Sequence, residues 1–313
     1  MQHIPVALER CIALLAPAIE RCETPIIIDA TLGLGGHSKV LLERYPQLRI
    51  IGFDRDLSAI ALAKENLKDF IGRVTIVHAI YDEITNVLEE LEIPGVDGVL
   101  FDLGVSSMQL DVAERGFAYS QDAPLDMRMD QSRGISAYDV LHTYQRGELI
   151  RILRQYGEEK FAKSIADNII KARENNALST TKELAEIVKA SIPAPARRTG
   201  GNPAKRTFQA LRIEVNQELD VLERAIPAAL DSLNVGGRIV VMAYQSLEDK
   251  IVKKVFSSAT ESLTPRGLPV ELPDSAAKFA FVIRGSESAT KVEIEANPRA
   301  QSMRLRAIER LAA

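Results

Sequence analysis

The segment "IIIDATLGLGGHSKVLLERYPQLRIIGFDRD", residues 26–56, places a glycine-rich turn between two apolar runs that each end in an acid. The first run ends at Asp29, a helix-forming stretch follows the glycines, and the second run ends at Asp54. This order predicts a strand, a turn, a helix and a second buried strand. Gly33 and Gly35 form a GxG pair, but no third glycine stands where a dinucleotide-binding loop places one.

The missing glycine changes the ligand that the turn predicts. A turn without the spacing for a pyrophosphate suits a cofactor with an amino acid part, such as S-adenosylmethionine. Small residues let backbone N–H and C=O groups approach the carboxylate and ammonium of such a tail. Asp54 follows about 20 residues beyond the turn, where an acid accepts hydrogen bonds from ribose hydroxyls. The alternative is a tight turn followed by an ordinary surface aspartate.

Four apolar runs in the first third of the chain alternate with helical stretches, and this alternation predicts an α/β fold with a parallel sheet. The predicted strands are Ile26–Ala30, Arg49–Asp54, Val74–His78 and Gly98–Leu103. Further on, residues 236–246 predict a strand and residues 247–259 a helix. The segments "AKFAFVIRG" and "TKVEIEANPRA", residues 277–285 and 290–300, predict a terminal pair of strands.

Residues 135–191 have helical periodicity almost throughout, which interrupts the strand–helix alternation. Thr180 or Thr181, with Glu183 beyond, predicts the N-cap of one of these helices. A break rich in proline and glycine follows at residues 192–204. The simplest organisation is an α/β domain with a helical insertion of about 100 residues after the fourth strand.

Composition narrows the class of protein. The 313 residues are 46% hydrophobic and 26% charged, with a net charge of −4, which is typical of globular proteins and unsuited to coating nucleic acid by bulk charge. Residues 196–212 are nevertheless basic without an acid and predict a local docking face; a solvated surface is the alternative. No apolar run is long enough for a membrane span, and no secretory signal is apparent. Two cysteines without a CxxC motif exclude a disulfide scaffold and predict neither zinc nor another metal, so we expect a cytoplasmic protein.

A third acid, Asp102, ends the fourth predicted strand. It lies next to the point at which open α/β sheets bind ligands, and Gly104, Ser106 and Ser107 allow a sharp turn there. An isolated aspartate at a strand end is usually a cap or turn residue. Because Asp29 and Asp54 share this edge of the predicted sheet, we favour a ligand-binding role.

The sequence resembles the bacterial family of 16S ribosomal RNA cytosine-N4 methyltransferases, which use S-adenosylmethionine. The most specific segment is "DLGVSSMQLDVAERGFAYSQDAPLDMRMD", residues 102–130. The other matching segments are "HIPVALE" (3–9), "DATLGLGGHS" (29–38), "FDRD" (53–56), "YGEEKFAKSIA" (156–166), "RTFQALRIEVNQEL" (206–219), "SLEDKIVK" (246–253) and "NPRAQSMRLRA" (297–307). They span nearly the whole chain.

The resemblance implies a Rossmann-like methyltransferase sheet with an inserted all-helical domain. We place the methyltransferase domain at residues 1–111 and 213–313 and the insertion, as an RNA-recognition domain, at 112–212. The implied cofactor is S-adenosylmethionine. The resemblance places Gly35, Gly36 and His37 at its methionine end, Asp54 on its ribose and Tyr81 beside its adenine. Asp102 and Gln109 complete the implied cofactor pocket.

Two positions depart from the family pattern. Related sequences commonly read Ser-Phe-His-Ser-Leu-Glu-Asp where this chain has Ala243 to Asp249, so Gln245 replaces a histidine that offers a proton acceptor or an RNA contact. Gln301 stands where arginine is usual, which weakens one expected phosphate contact. Neither change touches the predicted cofactor pocket.

The implied reaction is methyl transfer to the exocyclic N4 of a cytidine in 16S ribosomal RNA. The lone pair of that amine is delocalised into the ring, so the enzyme must orient it and accept hydrogen bonds from its N–H groups. We expect Asp102, or a backbone carbonyl beside it, near the amine, with Ser106 and Ser107 shaping the pocket. The alternative is that Asp102 only orients the cofactor.

The substrate RNA is expected within the small ribosomal subunit, and neither a membrane nor DNA is expected as a partner. The candidate phosphate contacts are Arg128, Arg133, Arg197, Arg198, Lys205, Arg206 and Arg212. Phe117 or Tyr119 could stack on a splayed base, although we favour packing of both rings within the protein. The alternatives for the whole chain are a non-catalytic RNA-binding relative and a methyltransferase for another substrate.

Overall fold

The computed structural model describes residues 5–197, 202–262, 264 and 275–313. Its strands are β1 (Ile26–Asp29), β2 (Arg49–Asp54), β3 (Val74–His78), β4 (Val96–Asp102), β5 (Leu233–Ala243), β6 (Phe279–Phe281), β7 (Glu287–Ser288) and β8 (Arg304–Arg310). Its α-helices are α1 (Leu8–Glu20), α2 (Gly36–Arg44), α3 (Leu57–Asn66), α4 (Ile84–Glu90), α5 (Ser107–Asp111), α6 (Ala137–Thr143), α7 (Arg146–Gln155), α8 (Ala162–Glu174), α9 (Thr181–Ser191), α10 (Ala194–Arg197), α11 (Lys205–Asn216), α12 (Glu218–Ser232), α13 (Ser246–Ala259) and α14 (Lys291–Ala296).

The chain divides into two compact units, and all of these strands belong to the first. This unit comprises Met1–Gly104 and Leu219–Ala313, and the second comprises Val105–Glu218. The second unit is longer at both ends than the 112–212 segment that the sequence predicts. Every helix within the described ranges is too short or too polar to cross a bilayer.

The sheet of the first unit has the strand order β3-β2-β1-β4-β5-β8-β6, with β7 paired to β8. Strands β1 to β5 are parallel and β8 is antiparallel to β5. This confirms the predicted α/β class. The order turns back between β1 and β4, and in open α/β sheets ligands bind outside the carboxyl ends of the strands at such a point.

Both faces of the sheet are buried because helices cover each of them. Successive strand residues point to opposite faces, so Ile27 packs in a cluster with Leu15 of α1, whereas Ile28 packs in a second cluster with Phe256 of α13. Burial on both faces explains why the strands read as continuous apolar runs rather than as alternating ones. The predicted strands Arg49–Asp54 and Val74–His78 have the observed bounds.

Of the two predicted terminal strands, the first is confirmed and the second is wrong. Residues 279–281 form β6, but "TKVEIEANPRA" forms α14 and the 3₁₀ turn Pro298–Ser302. Thr290 Oγ1 accepts from the Glu293 backbone N–H at 3.2 Å, and the Glu293 carboxylate accepts from the Thr290 N–H at 2.9 Å. This capping box starts a helix where the alternating Val and Ile residues favoured a strand. The strand that pairs with β6 is β8.

The second unit is helical, and polar side chains cap the start of its helix α9. Thr180 caps α9, because its hydroxyl accepts from the Glu183 N–H at 3.4 Å while the Glu183 carboxylate accepts from the Thr180 N–H at 3.1 Å. This confirms the predicted cap. Leu149, Ile152 and Leu153 of α7 are fully or almost fully buried against neighbouring helices, as the helical periodicity requires.

Candidate cofactor and methyl-transfer site

Three carboxylates lie at the carboxyl ends of three neighbouring strands. Asp29 ends β1, Asp54 ends β2 and Asp102 ends β4, and the sheet order β2-β1-β4 brings the three ends to one edge. This edge contains the point between β1 and β4 at which the strand order turns back. The structure therefore brings together the three acids that the sequence singled out.

Asp29 holds the glycine turn through two hydrogen bonds. Its Oδ2 accepts from the Ser38 hydroxyl at 2.6 Å and its Oδ1 accepts from the Thr31 N–H at 3.4 Å. Burial is the largest influence on this carboxyl and raises its pKa, against the lowering effect of the Ser38 hydrogen bond. Asp29 thus ties the end of β1 to the start of α2.

Asp54 closes the same turn from the neighbouring strand. Its Oδ2 accepts from the Gly33 N–H and its Oδ1 from the Asp56 N–H, each at 2.8 Å. Burial raises its pKa to about 6, and the two backbone hydrogen bonds only partly oppose this. A carboxylate oxygen has two lone pairs, so each oxygen retains acceptor capacity for a hydroxyl.

The glycines of the turn have different neighbours. A Cβ at Gly35 would lie 2.8 Å from Leu67 Cδ1, and one at Gly36 would lie 2.6 Å from Pro5 Cγ. A side chain at either glycine would therefore require its neighbour inside the protein, Leu67 or Pro5, to shift. At Gly33, where φ is +53°, an added Cβ would meet only the Thr31 carbonyl oxygen, at 3.9 Å.

His37 follows the turn at the start of α2 and is buried. Its Nε2 lies 3.0 Å from the Val6 carbonyl oxygen and its Nδ1 lies 4.0 Å from Asp102 Oδ2. A carbonyl can only accept, so Nε2 carries the proton of this hydrogen bond. His37 thereby connects the segment before α1 to the strand end at Asp102.

Asp102 is held by hydrogen bonds to two residues of the first unit, Thr31 and Tyr244. Its backbone N–H donates to Thr31 Oγ1 at 2.7 Å, and its Oδ1 accepts from the Tyr244 hydroxyl at 2.6 Å. Burial, and next the charge of Asp102, raise the pKa of Tyr244. The phenol is therefore protonated at neutral pH and donates to the carboxylate.

Tyr81 lies just beyond the carboxyl end of β3, in the 3₁₀ turn Tyr81–Glu83. Its ring meets the ring of Phe101 edge to face, with centroids 5.6 Å apart and planes at 87°. Such pairs are preferred aromatic contacts, and this one fixes the Tyr81 ring at the edge that carries the three acids.

Ser106 and Gln109 belong to the second unit, where they cap α5. Ser106 Oγ accepts from the Gln109 N–H at 3.3 Å, and Gln109 Oε1 accepts from the Ser106 N–H at 3.0 Å. Gln109 is buried. Their assignments to catalysis and to the cofactor stay predictions.

The candidate RNA contacts differ in their surroundings. Arg128 forms a bidentate pair with Asp126, at 2.9 and 3.0 Å. Arg212 forms one with Glu218, at 2.8 and 2.9 Å, and its side chain is only 15% exposed. Both guanidinium groups thus have a carboxylate partner within the second unit, so a phosphate must compete with a carboxylate to bind them.

The other candidates leave more of the side chain at the surface. Arg197 donates from Nε to the Ile192 carbonyl at 2.7 Å, and Arg206 donates from Nη1 to the Glu158 carbonyl at 2.9 Å. Arg206 and Lys205 are exposed, whereas Arg198 lies outside the described residues. Arg133 is 54% exposed and pairs with Asp130 at 2.7 Å.

The two aromatic candidates pack within the second unit. Phe117 is buried, with the Arg115 guanidinium 5.8 Å from its ring centroid. The Tyr119 ring meets Phe208 of α11 edge to face at 5.7 Å. This placement agrees with the packing alternative that the sequence analysis favoured.

Sequence reasoning missed three side chains of the site. Thr31 and Ser38 were inside a quoted motif, and their hydroxyls proved to hold Asp102 and Asp29. Tyr244 was noted only as part of a segment that lacks a histidine. The replacing residue, Gln245, is the N-cap of α13. The position of Tyr244 directly after β5, at the same sheet edge as the three acids, was the sequence feature that could have indicated its role.

The sequence is similar to known proteins over nearly its whole length. Residues 1–311 match the model of the MraW methylase family. A protein of Pseudarthrobacter chlorophenolicus named "Ribosomal RNA small subunit methyltransferase H" is 57% identical over 316 residues, covering 100% of this chain and 96% of the relative. A protein of Mycolicibacterium smegmatis with the same name is 57% identical over 313 residues, covering 99% and 84%. A solved rRNA methylase from Streptococcus thermophilus has a TM-score of 0.44 and 13% identity, covering 99% of each chain.

Proposed function

The chain belongs to the MraW methylase family, and from this premise we propose that it transfers a methyl group from S-adenosylmethionine to the exocyclic N4 of a cytidine in 16S ribosomal RNA. The names of the relatives, which specify ribosomal RNA of the small subunit, support the substrate class. The observation that carries the proposal in this chain is the meeting of Asp54 and Asp102 at the edge where the strand order turns back.

The groups at this edge fit S-adenosylmethionine better than a dinucleotide. Carboxylates repel phosphates but accept hydrogen bonds from hydroxyl and ammonium groups. Asp54 would hold the ribose hydroxyls, Tyr81 would lie against the adenine, and Asp102 would face the methionine end with residues 35–37. The absence of a side chain at Gly33 leaves room over the turn.

The chain's own contribution to the reaction is to orient the amine and to accept hydrogen bonds from it. Bound S-adenosylmethionine supplies an electrophilic methyl group on a sulfonium centre, so no metal is needed to activate the donor. As the N4–carbon bond forms, the bond between the sulfur and the methyl carbon breaks, its electron pair stays on the sulfur, and positive charge develops on the nitrogen. Asp102 would stabilise this charge by accepting an N–H hydrogen bond, and the surplus proton would pass from the same nitrogen to solvent water.

We further propose that the second unit binds the RNA and that the substrate is the assembled small subunit in the cytoplasm. A target base must be splayed out of folded RNA to reach a buried edge of the sheet. Lys205, Arg206 and Arg197 are candidates with exposed side chains. They would neutralise phosphates near the target without specifying the base.

Transfer of labelled methyl groups tests the proposal. Wild-type protein should label 16S RNA in small subunits from cells lacking this protein, and mass spectrometry should find N4-methylcytidine. Asp102→Asn should lower turnover about a hundredfold with a much smaller change in cofactor affinity. The matched control is Asp69→Asn, at an exposed position.

Three outcomes would contradict the proposal. Labelling of protein or free cytidine instead of ribosomal RNA would indicate another substrate. RNA binding without methyl transfer would indicate a non-catalytic relative. Loss of cofactor affinity in Asp102→Asn, sufficient to explain its lost turnover, would restrict Asp102 to orienting the cofactor.

A further inference from the structure

We infer that Tyr244 is a positioning residue of the methyl-transfer site, which fixes the orientation of the Asp102 carboxylate through its hydroxyl. The inference rests on the proposed function, because it acts through the role given there to Asp102. The 2.6 Å hydrogen bond from the phenol to Asp102 Oδ1 is short, as bonds to a charged acceptor are.

A carboxylate at a strand end can rotate about its Cβ–Cγ bond, so something must select which oxygen faces which neighbour. The Asp102 backbone is fixed by its N–H bond to Thr31, but that bond does not set the side-chain torsion. The Tyr244 hydroxyl binds Oδ1, and Oδ2 lies 4.0 Å from His37 Nδ1. The hydrogen bond from the phenol thus fixes which oxygen of Asp102 faces Tyr244 and which faces His37.

Tyr244 is itself held from two sides. Its backbone N–H donates to Glu248 Oε2 at 2.9 Å, and the same oxygen accepts from the Gln245 N–H at 3.0 Å. Glu248 is buried in the first turn of α13. On the ring side, Tyr244 packs against the buried cluster that contains Leu15 of α1 and Ile27 of β1. The start of α13 therefore fixes the tyrosine, and the tyrosine orients the aspartate.

The phenol also favours the ionised form of the Asp102 carboxyl. A hydrogen bond donated to the ionised form of a carboxyl favours that form. Other titratable groups that interact with Asp102 include His37 of α2, Asp29 of β1 and Cys11 of α1. Removing the Tyr244 hydroxyl alone should therefore weaken the preference of Asp102 for its ionised form.

The substitution Tyr244→Phe tests the inference, because it removes only the hydroxyl. We expect turnover on small subunits to fall about tenfold or more, the usual effect of losing a hydrogen bond to a charged group. We also expect the acid limb of the pH–activity profile to move to higher pH. Tyr45→Phe is the matched control, since its hydroxyl bonds to Glu20 at 3.5 Å at the surface.

A double-mutant cycle separates positioning from a general loss of structure. If Tyr244 acts through Asp102, the loss caused by Tyr244→Phe should largely disappear in the Asp102→Asn background, measured as cofactor affinity and as residual turnover. Thermal unfolding of all four proteins monitors folding. Equal losses in both backgrounds, or wild-type turnover and pH profile in Tyr244→Phe, would overturn the inference. Failure of the wild-type protein to methylate ribosomal RNA would instead overturn the proposed function.

Discussion

Asp54 accepts hydrogen bonds from the protein backbone and is also the proposed acceptor for the ribose hydroxyls of the cofactor. Its two oxygens hold the glycine turn, and burial raises its pKa to about 6. The carboxyl is mostly ionised at neutral pH and becomes protonated as the pH falls through about 6. The ionised form is the stronger acceptor for ribose hydroxyls.

We therefore predict that cofactor affinity weakens as the pH falls from about 7 to about 5. Asp54→Asn should bind more weakly at neutral pH and should lose this pH dependence. Calorimetric titration of both proteins at several pH values measures the effect, with Asp69→Asn as the control. A wild-type affinity that stays constant over this range would exclude the ribose role for an ionised Asp54.

At the scale of single residues, the sequence was sufficient to place the acidic side chains of the site but not the hydroxyl side chains that hold them. Asp29, Asp54 and Asp102 end apolar runs, so their edge of the sheet follows from topology. Thr31, Ser38 and Tyr244 are polar residues of common types whose roles depend on side-chain directions between strands. Those directions follow from tertiary packing, which local patterns do not encode.

Among the elements, the start of α2 depends on the close approach of the N-terminal segment. A Cβ at Gly36 would lie 2.6 Å from Pro5 Cγ, so a methyl group there must displace the segment that also carries Val6, the partner of His37. We predict that Gly36→Ala destabilises the protein by about 1–3 kcal/mol and weakens cofactor binding.

Denaturant unfolding and calorimetry measure these two effects. The matched control is Gly147→Ala in α7, where an added Cβ meets nothing within 4 Å. That substitution should stabilise the protein by up to about 1 kcal/mol, because alanine is the better helix former. A wild-type stability in Gly36→Ala would show that the N-terminal segment does not pack as described.

Arg212 of helix α11, a predicted phosphate contact, has a carboxylate partner in the structure. Arg212 and Glu218 form a bidentate pair with side chains 15% and 7% exposed. We predict that Arg212→Ala costs about 3 kcal/mol of unfolding free energy, because it leaves a buried carboxylate unpaired. Replacing both residues with leucine should recover most of the loss. If Arg212→Ala weakens RNA binding without any loss of stability, Arg212 is a phosphate contact as the sequence suggested.

Element boundaries were predictable where hydrophobic periodicity and local hydrogen bonding agree. Thr180 and Glu183 cap α9 as the sequence indicated. The same kind of box at Thr290 and Glu293 was overlooked, because alternating Val and Ile residues dominated the interpretation of that segment. A capping box of two side chains outweighed a short β-like pattern, and Val292 is consequently 74% exposed on a helix.

At the scale of the whole molecule, charge is distributed unevenly. The chain is net −4, yet residues 196–212 contain only basic charges. Lys205 is exposed at the start of α11. If it neutralises a phosphate, Lys205→Ala should weaken RNA binding equally across sequences and reduce the salt dependence of the affinity by about one unit of slope.

Binding titrations at several salt concentrations test this prediction. Cofactor affinity should stay at the wild-type value, and Lys64→Ala, at an exposed position of α3, is the matched control. An unchanged salt slope in Lys205→Ala would exclude this residue from the RNA-binding surface.

The most direct test of the account is calorimetric titration of the wild-type protein with S-adenosylmethionine and, separately, with a nicotinamide dinucleotide. Carboxylates at neighbouring strand ends should accept the ribose and amino acid groups of the first ligand and repel the diphosphate of the second. We predict saturable heat with a single site for S-adenosylmethionine and none for the dinucleotide. Binding of the dinucleotide, or no heat with S-adenosylmethionine, would contradict the assignment.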